Sequence, residues 1–218
     1  MKKAFFVSCL ATCIQAVKLD TTLSAYSELM AYELKANKNY ATCTVTSDRT
    51  KVGLENMNAM KDSASKKGYY TDIAFPRNIS AIYWKDSDKP DADDIPKPEV
   101  QAAMKFTRLS DDPNLKGAKL FGEKGIRPVD INQGGLGDCW FLAAAAAISE
   151  HKGAMEKVFE TDLNVKGGYA VNLYALGVPQ TTVVDDYIPY HDGKPIFAGV
   201  SNDNSLWPMI LEKAFAKM

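Results

Sequence analysis

The chain has 218 residues, 46% of them hydrophobic and 24% charged, which is enough for one full domain or one domain with an extension. With 26 Lys and Arg against 27 Asp and Glu the net charge is −1, so no basic field steers it to nucleic acid or to an acidic membrane surface. Met1-Lys2-Lys3, an apolar run over 4–14 and then Gln15-Ala16 have the layout of a secretory signal peptide (1–16) cleaved after Ala16. The run is shorter than the roughly 20 apolar residues that span a bilayer, so no membrane span is expected. This layout points to a secreted or endomembrane protein; the alternative is a cytoplasmic one in which the run docks in a core as a helix. Cleavage would remove Cys9 and Cys13 and leave Cys43 and Cys139, with no structural disulfide and Cys139 a free thiol. Asn78-Ile79-Ser80 would then be a glycosylation sequon.

Residues 17–84 read as an N-terminal extension of unassigned role; a propeptide over a cleft and a lineage-specific addition both fit. Within it, Leu23, Tyr26, Met30 and Leu34 recur at helical spacing over 21–38, and Leu54, Met57, Met60 and Ala64 do so over 52–67, with Gly68 as the stop. The aromatic and β-branched runs 69–75 and 79–84, parted by Pro76, predict strands. Residues 85–99, KDSDKPDADDIPKPE, read as an exposed acidic, proline-rich linker. An EF-hand loop counted from Asp86 fails, because Pro90 and Asp91 fill the fifth and sixth positions, where a ligand and a glycine are needed.

Residues 100–132 predict mostly irregular chain anchored by Phe106, Leu109, Leu120 and Phe121. A helix follows from Cys139 to about Glu150, then a short one over 154–159. YAVNLYAL (169–176) and TTVVDD (181–186) predict a hairpin turning at Gly177-Val178-Pro179. Asp192-Gly193 marks a tight turn, and Pro208 with Leu206, Ile210, Leu211 and Phe215 predicts a closing helix.

The chemistry concentrates in QGGLGDCWFLAAAAAISE (133–150). Gly134, Gly135 and Gly137 make a turn poor in Cβ atoms, Asp138 is a good N-cap, and Cys139 opens a run of strong helix formers. A thiol at the first turn of a helix faces unpaired N–H groups and the positive end of the dipole, which favour the nucleophilic thiolate. The Gln133 amide, across the turn, has the reach to serve an oxyanion forming near the sulfur. The plainer alternative is a glycine turn before a core helix whose first apolar residue is Cys, a residue type that is often buried.

QGGLGDCWFLAA resembles the active-site segment of the calpain family of cysteine proteases, Q-G-x-L-G-D-C-W-[FL]-L-A-A, with every fixed position filled. VVDDYIPYHDGKPIF (183–197) and SLWPMILEKAFAKM (205–218) resemble two further calpain segments in family order, so the match runs from about Gly125 to Met218. The resemblance implies an α+β, papain-like first lobe, helical and Cys-bearing, over 100–218. It also implies cleavage of protein or peptide substrates through a Cys139 acyl-enzyme, with Gln133 and the Cys139 amide holding the oxyanion. In the family the catalytic His and Asn lie in a second lobe, normally in the same chain, downstream of the segment matched by 205–218. The lobe is therefore expected to be incomplete, a fragment of a protease or, alternatively, a non-catalytic regulator or interaction module. Neither histidine here is a credible base: His151 is about 18 Å along a continuous helix from Cys139, and His191 sits at a predicted hairpin tip. Calcium is likewise implied by resemblance, through the Gly125 carbonyl and the Asp130 carboxylate, with Ser205 where the family has a second acid and Asp203 close by.

Overall fold

The structure, a computed structural model, describes residues 45–78, 81–82, 98–161, 165–175 and 178–218. The signal-peptide-like segment, the helix expected over 21–38 and most of the acidic linker lie outside the described residues. The linker's last two residues, Pro98 and Glu99, open a short helix.

Helix α1 (Val45–Lys67) starts before the Val52 that periodicity suggested and ends where expected: Gly68, at φ +77°, donates its N–H back to the Ala64 carbonyl at 2.8 Å. Its Met57 and Met60 pack on Ala170 and Val183. At Gly53 it passes so close to Thr181 that a side-chain Cβ would lie 2.9 Å from the Thr181 Cβ.

Residues 69–75 form no strand, contrary to the pattern, because their polar groups bond to partners other than a neighbouring strand; most of the second run, 79–84, lies outside the described residues. Tyr70 N–H donates to the Lys166 carbonyl at 2.9 Å and Asp72 N–H to the Asp185 carboxylate at 2.8 Å, while Arg108 donates to the Tyr70 carbonyl at 2.8 Å.

After α2 (Pro98–Ala103) comes β1 (Lys105–Arg108), which lies within a stretch expected to be irregular. The hairpin β2 (Gly168–Ala175) and β3 (Val178–Asp185) forms as read, except that Val178 and Pro179 belong to β3, with Pro179 opposite Tyr174. Strand β4 (Tyr187–His191) sits between β1 and β5 (Lys194–Pro195) in a three-stranded antiparallel sheet. Asp192 (φ 50°) and Gly193 (φ 73°) make the tight turn between β4 and β5.

The core gathers around two helices, α3 (Cys139–Ser149) and α4 (Trp207–Lys217). Trp207, Met209, Ile210, Leu211 and Ala214 of α4 are buried with Leu109, Val171, Val184 and Ile188. Phe141 of α3 stacks on Phe215 of α4 at 4.2 Å between ring centres.

The end of β3 is an ionic hub. Asp185, fully buried, accepts from Lys213 of α4, from Asp72 N–H at 2.8 Å and from Tyr187 N–H at 3.1 Å. Lys217 pairs with Asp72, and Arg108 pairs with Asp186 while lying over the Tyr69 and Tyr187 rings. Burial pushes the Asp186 carboxyl up to about 6 despite Arg108, and burial likewise lowers Lys213 although Asp185 opposes it. These contacts fasten the stretch from Tyr69 onward to the sheet.

Candidate active site

Cys139 is the first residue of α3, and its thiol is free and exposed. The turn before it is held along one edge by residues 196–199: Gly135 N–H donates to the Ile196 carbonyl at 2.7 Å and Gly199 N–H to the Asn132 carbonyl at 2.7 Å. Gly134 is where the two segments touch, since a Cβ there would stand 2.0 Å from the Phe197 carbonyl oxygen. None of Gly134, Gly135 and Gly137 has positive φ. Close approach of backbone, rather than left-handed conformation, is thus the demand at Gly134, and at Gly137 a Cβ would meet nothing within 4 Å.

The Gln133 side chain is exposed and donates to the Leu136 carbonyl at 3.0 Å, closing its own turn. The amide has a second N–H that this bond does not use.

Asp138 departs from the sequence reading. It precedes α3, and its main-chain carbonyl accepts from Phe141 and Leu142 N–H at 2.8 and 3.1 Å, but its side chain caps nothing. The carboxyl is buried instead, in contact with the Glu212 carboxyl of α4. Glu212 also accepts Ala198 N–H at 2.9 Å. Burial drives both carboxyls up, Glu212 to about 8. Glu212 lay in the 205–218 segment that resembles a calpain pattern, with nothing to mark its partner.

Neither histidine reaches the thiol. His151 follows the C-terminal end of α3, at least 11 helical residues on from Cys139. The His191 Nδ1 lies 3.4 Å from Asp192 at the β4–β5 turn. No hydrogen bond joins either ring to Cys139 among the described residues.

The loop expected to hold calcium is filled otherwise. Asp130, fully buried, accepts from Arg127 N–H at 2.8 Å and from Arg127 Nη2 at 2.7 Å, with the Trp207 indole N–H at 3.5 Å. The same Nη2 stands 3.2 Å from Asp203. Burial of Asp203 acts against its charge, but the Ser201 and Ser205 hydroxyls and Arg127 prevail and hold its carboxyl below the usual range. Ser205, where a second acid was expected, accepts Gly122 N–H at 2.7 Å and donates to Asp203 at 2.9 Å. No group of three or more His, Cys, Asp or Glu able to hold a metal occurs among the described residues. With a guanidinium bridging both carboxylates, the donor set does not fit a calcium ion as it stands. Gly125, at φ +72°, shapes the loop by donating its N–H to the Gly122 carbonyl at 3.0 Å.

No helix among the described residues is long and apolar enough to cross a membrane. The family model described as "Calpain family cysteine protease" matches residues 70–218, so the match begins in the segment that the ionic hub ties to the sheet. Among similar proteins, the calpain-type cysteine protease DEK1 of Zea mays is 32% identical over 163 residues, covering 73% of this chain and 7% of that protein. The calpain-1 catalytic subunit of Homo sapiens is 38% identical over 153 residues, covering 68% of this chain and 20% of that protein. The chain thus spans a fifth or less of the length of these relatives. With a family model matched over most of its length, this chain belongs to the calpain family of cysteine proteases.

Proposed function

We propose that the chain supplies the nucleophile-bearing lobe of a calpain-type cysteine endopeptidase. An imidazole from a second lobe, rather than His151 or His191, takes the thiol proton; the Cys139 sulfur attacks the peptide carbonyl, and the Cys139 main-chain N–H with the Gln133 amide holds the oxyanion. Collapse of the adduct breaks the C–N bond, the amine leaves with that proton from the imidazolium, and water then hydrolyses the acyl-enzyme and restores the thiol. The observation that carries this reading is the exposed free thiol at the first residue of α3, on a turn clamped by residues 196–199, in a chain of this family. A non-catalytic module is the second reading, favoured by the engagement of Gln133 with Leu136. The two separate experimentally. On the first reading, the full chain reacts at Cys139 with a peptidyl epoxide, shows no peptidase turnover alone, and gains turnover when a histidine-bearing calpain lobe is added. Failure of both the epoxide reaction and the complementation leaves the module. Turnover by the chain alone that disappears in Cys139→Ala overturns the assignment of the base to another lobe.

We also read the Asp130 loop as held by Arg127 in place of calcium. A bound ion at about a hundred times its Kd would add about 2.7 kcal/mol of stability. Neither millimolar calcium nor EGTA is expected to shift the thermal midpoint of the wild-type chain. Arg127→Ala is expected to lower that midpoint, because it strands a fully buried carboxylate, and to make it calcium-responsive. A clear calcium-induced rise in the wild type rejects the reading.

A further inference from the structure

We propose that Asp138 and Glu212 share a single proton as a carboxyl–carboxylate pair, and that through this pair Glu212 is a positioning residue for the turn that carries Cys139. The inference rests on the reading of Cys139 as the nucleophile.

Both oxygens of Asp138 and Oε1 of Glu212 are buried, and apart from Asp138's own main-chain N–H no N–H or O–H donor of the described residues bonds to them. The other Glu212 oxygen is already taken by Ala198 N–H. Two ionised carboxylates in contact and out of water would repel each other and leave buried oxygens short of donors. One proton held between them removes one charge and gives each group a partner. No cation bordering Glu212 among the described residues does this instead. Glu212 borders a largely apolar cavity of about 100 Å³, whose other charged members are Arg77 and Lys213 and whose titratable phenol is Tyr187. Lys213 is engaged by Asp185 and the Tyr187 carbonyl, and Arg77 lies over the Tyr187 ring at 4.3 Å. On the other side, the titratable neighbour is Cys139 itself, next in sequence to Asp138.

The geometry makes Glu212 a two-point clamp. Through Ala198 it holds the 196–199 segment whose backbone hydrogen bonds fix Asn132 and Gly135. Through Asp138 it holds the residue that immediately precedes the thiol. Both ends of the turn thus refer to one side chain on α4. Loss of the shared proton adds a second negative charge to the pair that adjoins Cys139 in the chain and loosens the clamp.

The test compares alkylation of Cys139 in the full chain by neutral iodoacetamide and by anionic iodoacetate from pH 6.5 to 9, read on the Cys139 peptide by mass spectrometry. The ratio of the two rates cancels the thiolate fraction and reports local charge. Because Glu212 sits at about 8, the iodoacetate-to-iodoacetamide ratio in the wild type is expected to fall about twofold or more over this range. In Glu212→Gln, whose amide replaces the shared proton, the ratio stays flat, as it does in the reciprocal Asp138→Asn.

Thermal midpoints supply the second readout. A carboxyl raised in the folded state holds a proton that the unfolded chain has already released. Stability is therefore full below the ordinary carboxyl value and falls as pH climbs to about 8. Asp186, at about 6, adds a fall in the lowest part of the window that the wild type and both variants share. Above about pH 7 the wild-type midpoint should drop further than those of both isosteric variants. A flat wild-type ratio and midpoint, or variants that follow the wild type, overturn the proposal. Absence of any alkylation at Cys139 in the folded chain overturns the nucleophile reading instead, and the midpoints still decide the pair. If Glu212→Gln does not fold, Asp138→Asn carries both comparisons.

Discussion

Asp185→Ala is expected to cost about 3–5 kcal/mol, the usual penalty for breaking a buried ion pair from one side. Asp185 is fully buried, and the Lys213 side chain it neutralises is only 9% exposed. The substitution strands the Lys213 ammonium and removes the acceptor of the Asp72 and Tyr187 N–H groups. For a chain of this size the thermal midpoint should fall by about 10–15 °C, a large share of a total stability of about 5–15 kcal/mol. The double variant Asp185→Ala with Lys213→Met should lose less than Asp185→Ala alone, since it leaves no charge unpaired. Urea unfolding of the three proteins checks this. A loss below about 1 kcal/mol in Asp185→Ala, or a double variant worse than the single, would show that the hub is not what joins residues 69–78 and α4 to the sheet.

Gly134→Ala is expected to damage the site selectively, and Gly137→Ala is the control. At Gly134 the new Cβ would lie 2.0 Å from the Phe197 oxygen and 2.3 Å from its carbonyl carbon, both backbone atoms that no rotamer change can move. Residues 196–199 must then separate from the turn, at the expense of the hydrogen bonds from Gly135 and Gly199 and of the Ala198–Glu212 contact. Overpacking of this kind costs about 1–3 kcal/mol. The alkylation kinetics of Cys139 should change together with the melting temperature. Gly137→Ala meets nothing within 4 Å and should leave both nearly unchanged. Equal behaviour of the two variants would contradict the close-approach account.

Much of this protein is local and could be read in order along the chain. The stop of α1 at Gly68, the β2–β3 hairpin, the turn at Asp192-Gly193 and helix α4 entered through Pro208 follow from backbone preferences and short-range periodicity. The helices and turns among these depend on residues within about four positions of each other, and the hairpin on pairs at most 17 positions apart. Cys139 at the start of a helix is a feature of the same kind, and the string around it carries the family.

Tertiary structure decided which long-range partner each buried polar group takes. Asp138 is a good N-cap residue type, yet its side chain turns inward to Glu212, because the packing of α3 on α4 buries this position beside another carboxyl. Residues 69–75 have strand composition, but Asp72 finds Asp185 across 113 positions and the ladder is not built. Asp130 resembles a calcium ligand in sequence, whereas in space a guanidinium from the same loop and an indole 77 positions away take its oxygens. Sequence by itself determined the helix that Cys139 opens and the family of the chain. The fold alone decided what holds the turn before Cys139, since a buried charge or hydrogen-bonding group must be satisfied by whatever packing brings beside it, and sequence spacing does not encode that neighbour.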